Sequence, residues 1–305
     1  MMRRLFAHDK GTFMAELDDF ADITQRDQPL APFTHLKLGG PAEYLVQPRT
    51  RDELAAVVRH CYQHKIPFRV LGSGCNLLVR DEGVRGVVLR LAAPAFAEIA
   101  VKGKLVSAGA GAAVSAVISE AARHNLAGLE TLVGIRGTVG GALRTNAGDR
   151  GGDIGQFVRS VEVLDARGDL LVRERDELSF APHRSNLDDP VLLSATFALE
   201  PDNPDFLVKR MRKAWITRKA RQPFSFQAAG RLFEDPPTQS AALLIEQASL
   251  ARTRVGGAEL SDRDANFVVV HPGASARDVL RLIDLLQTRV RERFHIDLET
   301  EIAVW

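Results

Sequence analysis

The opening third of the chain mixes helical and extended hydrophobic patterns. Thr50 and Glu53 have the spacing of a helix N-terminal capping pair, and apolar residues then recur at helical spacing, at Leu54, Val57, Val58 and Cys61. Short apolar runs at Phe68–Leu71 and Val84–Leu91 predict two strands, with glycines between them. This mixture of helix and strand predicts an α/β unit.

The middle of the chain predicts a second unit. Leu105–Ala108 has the pattern of a strand, and the helix after it has an apolar face at Val114, Val117, Ile118 and Ala121. Val161–Leu164 and Leu170–Val172 lie on either side of a turn sequence and predict a hairpin. Leu192–Leu199 predicts one more strand before the linker Pro201–Pro204.

The last third contains more helix. Its pattern predicts, in order, a basic helix at Phe206–Ala220, a helix at Ala241–Ala248, a strand at Phe267–Val270, a helix capped by Ser275 and Asp278, and an alternating strand at Ile296–Trp305. Residues 1–30 show little periodicity and predict a polar extension with one short helix at Phe13–Phe20.

Composition places the chain among ordinary globular proteins. Its 305 residues exceed one typical domain, so two or three domains are expected. A net charge of +1 gives no electrostatic case for nucleic acid or anionic lipid as the main partner. The two cysteines, Cys61 and Cys75, are too few for a disulfide scaffold and indicate a reducing compartment. Because neither a secretory leader nor an apolar run of about 18 residues is found, we expect a cytoplasmic protein without membrane insertion.

Two glycine-rich stretches are the first candidates for ligand chemistry. Gly72-Ser73-Gly74-Cys75-Asn76-Leu77-Leu78 follows a predicted strand, and Gly134–Gly148 contains five glycines in fifteen residues. Glycine permits positive φ and lets backbone N–H groups approach an anion such as a diphosphate. The residues alone leave two alternatives open for each stretch, a ligand cradle or a structural loop.

Polar residues give a weaker signal. Arg184, Arg231 and Glu301 are not distinguished by their local pattern, and Glu301 lies on the polar face of a predicted strand, where a surface role is the default. The histidines have no metal-ligand spacing, so no metal site is expected.

Several motifs, taken together, resemble one family. They are Thr34–Ala42, Gly72–Leu78, Gly128–Gly141, Asn146–Gly148, Arg218–Pro223, Ala229-Gly230-x-x-Phe233, Gly256–Ala258 with Ala265–Phe267, and Glu299-x-Glu301. In this order and spacing they resemble the UDP-N-acetylenolpyruvoylglucosamine reductases, over about residues 33–303. The compact C-terminal part resembles the shorter subtype of that family.

The resemblance implies a mixed α/β fold. Two subdomains would form an FAD-binding fold of the vanillyl-alcohol-oxidase or PCMH type, followed by a C-terminal substrate domain. The implied boundaries are an extension at 1–30, FAD-binding subdomains at 31–94 and 95–200, and the substrate domain at 201–305.

The resemblance also implies an activity. NADPH would reduce FAD, and the flavin would deliver hydride to the enolpyruvyl group of a UDP-sugar in peptidoglycan synthesis. Arg184 matches the family's carboxylate-facing arginine, Glu301 its catalytic glutamate, and Arg231 stands at the catalytic serine position. The implied cofactor-binding residues are Gly72, Ser73, Gly74, Cys75, Asn76, Leu77, Gly134, Thr138, Gly140, Gly141, Asn146, Gly148 and Ile154.

The chain departs from the family pattern mainly near the catalytic motifs. Arg231 replaces the serine that donates a proton, and an arginine is a poor acid near neutral pH. His183 replaces a tyrosine, Arg136 a proline and Asp264 a histidine. Two alternatives to the reductase therefore stay open: a family paralogue with another substrate, and an FAD-binding protein with little or no turnover.

Overall fold

The computed structural model describes residues 17–149, 151–223 and 228–305. Half of the predicted helix at Phe13–Phe20 lies outside this part, and its end belongs to a 3-10 helix at Asp18–Ile23. The α-helices are α1 (Arg51–Gln63), α2 (Val114–Arg123), α3 (Val139–Arg144), α4 (Pro204–Arg221), α5 (Ala241–Gln247) and α6 (Ala276–Phe294).

The strands are, in chain order, β1 (Thr24–Pro29), β2 (Pro41–Val46), β3 (Phe68–Leu71), β4 (Leu77–Leu78), β5 (Val84–Arg90), β6 (Ile99–Lys102), β7 (Leu105–Gly109), β8 (Leu126–Ala127), β9 (Gly148–Asp149), β10 (Gly152–Asp153), β11 (Val158–Leu164), β12 (Leu170–Glu174), β13 (Phe180–Ala181), β14 (Arg184–Ser185), β15 (Val191–Ala198), β16 (Glu200–Pro201), β17 (Ala228–Arg231), β18 (Arg254–Val255), β19 (Ala258–Leu260), β20 (Phe267–Val270) and β21 (Ala303–Val304).

The first sheet has the order β1-β2-β5-β3. β2 and β3 both run parallel to β5, so α1 forms the crossover between them. Thr50 caps α1, since its side chain accepts a hydrogen bond from the Glu53 N–H. The strand β1 was not predicted by periodicity, because its residues are mostly exposed and polar along an edge.

The second sheet is antiparallel, in the order β12-β11-β15-β7-β6. It contains the predicted hairpin as β11 and β12. The apolar face of α2 and the short helix α3 pack into the core of this sheet. This arrangement holds the glycine-rich stretch around α3 against a rigid layer.

A third sheet, β17-β20-β19-β18, lies in the C-terminal part. The helix α6 begins at the predicted capping pair, because the Ser275 and Asp278 side chains each accept from the other's N–H. Its apolar face is fully buried, and each such aliphatic side chain stabilises the fold by roughly 1.5–3 kcal/mol on burial. The fold is thus mixed α/β, as predicted, and the domain boundaries stay a prediction.

The long C-terminal strand predicted at Ile296–Trp305 is wrong in extent. Only β21 forms, and it pairs in parallel with β4. Leu298 and Ile302 are buried as the alternation predicts. The chain changes partners here, because the Glu301 N–H donates to the Leu232 carbonyl and the Ala303 N–H to the Asn76 carbonyl.

Candidate active site

Glu301 is fixed by main-chain bonds on two sides. Its N–H donates to the Leu232 carbonyl at 2.9 Å, and the Glu234 N–H donates to the Glu299 carbonyl at 3.0 Å. The Asn76 side-chain amide donates to the Glu301 carbonyl at 2.7 Å. The first glycine loop is therefore joined directly to the segment that carries Glu301.

Asn266 holds the neighbouring segment in place. Its side chain is buried, donates to the Phe233 carbonyl at 2.7 Å and accepts from the Phe233 N–H at 2.9 Å. Because both bonds go to the residue two positions after Arg231, Asn266 fixes the backbone that presents Arg231. The sequence motif contained Asn266 without indicating this role.

Glu301, Arg231 and Asp235 form a cluster of three charged side chains. Arg231 Nε lies 3.3 Å from Glu301 Oε2, and Arg231 Nη2 lies 2.9 Å from Asp235 Oδ2. The Arg231 and Glu301 side chains are 28% and 20% exposed. Glu301 Oε2 is buried and forms no hydrogen bond, so its contact with Arg231 is a charge interaction without hydrogen-bond geometry. Asp235 was missed at the sequence level, where only its spacing of four residues from Arg231 could have suggested the pair.

Burial raises the pKa of the Glu301 carboxyl above its ordinary value. The positive charges of Arg231 and His183 oppose this rise, while Glu234 and Asp235 add to it. The default surface role for Glu301 is therefore wrong. The carboxyl occupies a low-dielectric position between opposing charges, which is a common setting for acid–base and anion chemistry.

Arg184 contacts the segment that carries Glu301, but its direct partner is Glu299. Its Nη2 donates to Glu299 Oε2 at 2.9 Å, and both side chains are well exposed. The structure thus brings the predicted Arg184 and Glu301 segments together through Glu299. His183 precedes Arg184 in the turn between β13 and β14 with a φ of 57°, close enough to Glu301 to influence its ionisation.

Asn146 supports that hairpin from the second glycine stretch. Its buried amide donates to the Ala181 carbonyl at 2.9 Å, and its oxygen accepts from the Gly155 N–H at 3.0 Å. The Asn146 amide therefore joins β13, which leads into the Arg184 segment, to the 3-10 helix Ile154–Phe157.

The two glycine stretches lie against each other. A Cβ on Gly72 would come within 2.6 Å of Thr138 Oγ1. Thr138 in turn caps α3, its side chain accepting from the Gly141 N–H. In the first loop, Ser73 Oγ and Cys75 Sγ are 3.3 Å apart.

The junction of these loops suits the diphosphate of a dinucleotide. The N–H groups of Ser73, Gly74 and Cys75 donate to no other described residue, which leaves them available to an anion. A Cβ on Gly137 would meet no atom within 4 Å, and one on Gly141 only Thr138 Oγ1 at 3.6 Å. Backbone donors beside open space are the features that a bound FAD diphosphate requires.

Other predicted cofactor residues are fixed by protein contacts. A Cβ on Gly74 would lie 2.3 Å from the Phe33 carbonyl, and one on Gly140 would lie 3.0 Å from Ala110 Cβ. Gly74 is therefore required by packing, whatever the ligand, whereas Ala110 would have to shift slightly to admit a Cβ on Gly140. A Cβ on Gly148 would lie 2.4 Å from Asp153 Cα and one on Gly134 would lie 3.2 Å from Arg218 Cδ, while Leu77 and Ile154 are buried.

The Thr34–Ala42 motif lies against the first glycine loop, Gly72–Leu78. The His35 N–H donates to the Gly74 carbonyl at 2.9 Å, and Arg136 contacts His35 Nε2 from the second stretch. Burial lowers the pKa of His35, and the nearby charges of Arg136 and Lys37 lower it further. Arg136 thus links the two glycine stretches through His35.

A neighbouring hydroxyl, on Ser225 or Thr238, could take the donor role in place of Arg231. Ser225 lies outside the described residues, and Thr238 is exposed in the loop after Asp235.

Within the part of the chain that the structure describes, no cluster of His, Cys, Asp or Glu could hold a metal ion. No helix of that part is long and apolar enough to cross a membrane.

Comparison with known proteins decides the family. Residues 42–173 match the FAD-binding domain family, and residues 222–305 match the C-terminal domain of UDP-N-acetylenolpyruvoylglucosamine reductase. UDP-N-acetylenolpyruvoylglucosamine reductase 2 of Symbiobacterium thermophilum is 40% identical over 92% of each chain. The chain belongs to the UDP-N-acetylenolpyruvoylglucosamine reductase family.

Two further comparisons agree with this assignment. The reductase of Caldanaerobacter subterraneus subsp. tengcongensis is 38% identical over 91% of this chain and 92% of its own. The crystal structure of the reductase from Thermus caldophilus matches with a TM-score of 0.79 and 38% identity, over 92% of this chain and 98% of the other. The predicted FAD-binding fold of the PCMH type with its C-terminal reductase domain is therefore confirmed.

Proposed function

We propose that this protein reduces UDP-N-acetyl-enolpyruvoylglucosamine to UDP-N-acetylmuramate in the cytoplasm, with FAD as cofactor and NADPH as electron source. The proposal rests on a contact between the first glycine loop and the segment that carries Glu301. The Asn76 side-chain amide donates to the Glu301 carbonyl at 2.7 Å. Membership of the reductase family supplies the substrate class.

FAD, when bound, supplies a hydride to the β-carbon of the enolpyruvyl group. The backbone donors of Ser73, Gly74 and Cys75 would hold its diphosphate, with Gly137 and Gly141 leaving room beside α3. Thr138, Gly140 and Asn146 would keep the second stretch in register with the first. The protein's part is thus to orient two reactants and to manage charge.

Hydride addition at the β-carbon moves negative charge toward the substrate carboxylate. Arg184 and Arg231 are two cations that contact the Glu301 segment, and a guanidinium binds a carboxylate through a bidentate fork. We assign them to that carboxylate, with Asp235 and Glu299 orienting them before substrate arrives. Preorganised cations of this kind stabilise charge that develops in the transition state.

The α-carbon must then take a proton, and this chain lacks the family's hydroxyl at position 231. Arg231 cannot donate at a useful rate near neutral pH. Glu301, whose pKa is raised by burial, and His183, whose charge acts on Glu301, are two groups at this site that could carry a proton. We therefore propose slow protonation by water or by one of these groups.

NADPH oxidation by the FAD-loaded protein tests the proposal, measured with and without UDP-N-acetyl-enolpyruvoylglucosamine. Oxidation that depends on the sugar, with UDP-N-acetylmuramate as product, is the expected result. Flavin reduction by NADPH that never responds to the sugar would favour a paralogue with another substrate. Bound flavin that NADPH does not reduce would favour a protein without turnover, an alternative suggested by the pairing of Arg231 with Glu301.

A further inference from the structure

The helix α4 exposes an unusual amount of apolar surface. Phe206, Val208, Trp215 and Ile216 are each more than half exposed, although all four are large hydrophobic side chains. The opposite side of the helix is anchored, because Leu207 is buried and Met211 packs on the core of the second sheet. The exposed side chains therefore belong to the outer face of a firmly held helix.

Cations lie among these apolar residues. Val208, Arg212, Trp215, Ile216 and Lys219 follow one another at helical spacing and form a single strip, which we call the α4 strip. Lys209 and Lys213 flank the strip. Arg212, Lys213 and Lys219 form no side-chain ion pair with any described residue, and α4 has its one acidic residue, Asp205, in its first turn.

We propose that the α4 strip docks on the surface of an anionic lipid bilayer. Helices that lie in a membrane interface provide aromatic and aliphatic side chains for the headgroup region and Lys or Arg for its anionic headgroups, and the outer side of α4 carries both kinds. Its apolar side chains enter the headgroup region, while the cations meet anionic headgroups. The whole-chain charge of +1 conceals this local excess, so the expectation from net charge that anionic lipid is not the main partner does not apply to the helix.

The same observations disfavour protein partners. In a symmetric pair of chains, each strip would face its own copy and set the cations of one against those of the other. Lysine is depleted at the cores of protein–protein interfaces, and the strip is convex and interrupted by charge at each turn. A lipid surface, in contrast, accommodates scattered apolar side chains and gathers several cations at once.

Co-sedimentation with unilamellar vesicles tests the proposal, using the FAD-loaded full chain. We expect binding to phosphatidylglycerol vesicles, little binding to phosphatidylcholine vesicles, and weakening as salt is raised. The triple variant Arg212→Gln, Lys213→Gln, Lys219→Gln should bind at least about tenfold more weakly, since each cation near the surface changes the partition coefficient about fivefold. Trp215→Ser with Ile216→Ser should weaken binding as well.

The edge strand β12 provides a matched control. Leu170 and Leu171 are also exposed, so Leu170→Ser with Leu171→Ser removes apolar surface outside the strip and should leave vesicle binding unchanged. The chain has two tryptophans, and in a Trp305→Phe background the emission of Trp215 should shift to the blue on phosphatidylglycerol vesicles. Flavin content and melting temperature show that each variant is folded.

Three results would overturn the proposal. The first is no binding of the wild type to phosphatidylglycerol vesicles at low salt, and the second is equal weakening by the β12 control. The third is a concentration-dependent dimer in ultracentrifugation that Trp215→Ser with Ile216→Ser abolishes, because this would assign the strip to a second copy. Binding to poly-glutamate without binding to vesicles would instead assign it to an acidic protein.

Discussion

Replacing Arg231 with serine is the most informative single change. The substitution removes a guanidinium that lies 3.3 Å from Glu301 and 2.9 Å from Asp235, and it introduces the hydroxyl that the family resemblance implies for this position. A positioned general acid accelerates proton transfer about 10²–10⁴-fold, equivalent to roughly 2.7–5.4 kcal/mol of barrier. If the missing donor limits turnover, Arg231→Ser should raise sugar-dependent NADPH oxidation at least about tenfold.

Loss of the ion pair between Arg231 and Asp235 should cost little stability. Asp235 is about half exposed, and an ion pair of that kind contributes about 0–1 kcal/mol. The loss of Arg231 also removes a positive charge that lowers the pKa of Glu301, so that pKa should rise further. A large gain in rate can therefore be separated from a modest change in stability.

Stopped-flow measurement divides the reaction in two. Loss of flavin absorbance on mixing with NADPH reports the first half, and its return on mixing with the enolpyruvyl sugar reports the second. The gain should appear only in the second half. Arg231→Lys, which keeps a cation without a hydroxyl, and Asp235→Asn, which keeps Arg231 without its partner, should show no gain. An already fast wild type that Arg231→Ser leaves unchanged would refute the argument for a missing acid.

Three further predictions test the cofactor loops and the carboxyl. Gly141→Val should fold but lose most FAD, because its side chain would enter the open space beside the first loop, whereas the exposed α2 variant Ala116→Val should keep stoichiometric flavin; equal flavin content in both contradicts the loop assignment. Glu301→Gln should lower turnover at normal flavin content. The stability of the wild type relative to this variant should fall as the pH rises from below 4.5 through the raised pKa of Glu301. Melting temperatures of the two proteins that run parallel across that pH range would contradict the raised pKa. FAD should slow the alkylation of Cys75 by iodoacetamide, while Cys61, whose pKa burial raises to about 12, should stay unreactive with or without FAD; equal Cys75 rates would place the flavin elsewhere.

Local patterns predicted the regular elements well. The caps at Thr50 and Ser275 and the strand at Phe267–Val270 lie where the sequence indicated, because capping and apolar periodicity act within a few residues. The strand β1 was missed, since its edge position requires no apolar alternation. Failures of this kind arise where a strand is defined by its partner.

The site shows the same limit more sharply. Glu301 alternates with Leu298 and Ile302 like a surface residue of a strand, yet its carboxyl is mostly buried. Residues far away in the chain hold Glu301 in this buried position. Its N–H donates to the Leu232 carbonyl, and its carbonyl accepts from the Asn76 side-chain amide. Only the resemblance to a family could indicate Glu301 from sequence, and only its spacing of four residues from Arg231 could have indicated Asp235.

The two parts of the site place different demands on their residues. Gly74 cannot accept a side chain, because the Phe33 carbonyl occupies the space where Cβ would lie, and Gly140 packs tightly against Ala110. Position 231 makes no such demand, since its side chain points toward Asp235 and Glu301 at the partly open end of a strand. A cofactor fold held by backbone constraints can therefore persist while a side chain that carries a proton changes. For this reason the presence of flavin will not by itself establish the reaction, and the second half-reaction of Arg231→Ser is the measurement that separates a slow reductase from a protein that binds FAD without turnover.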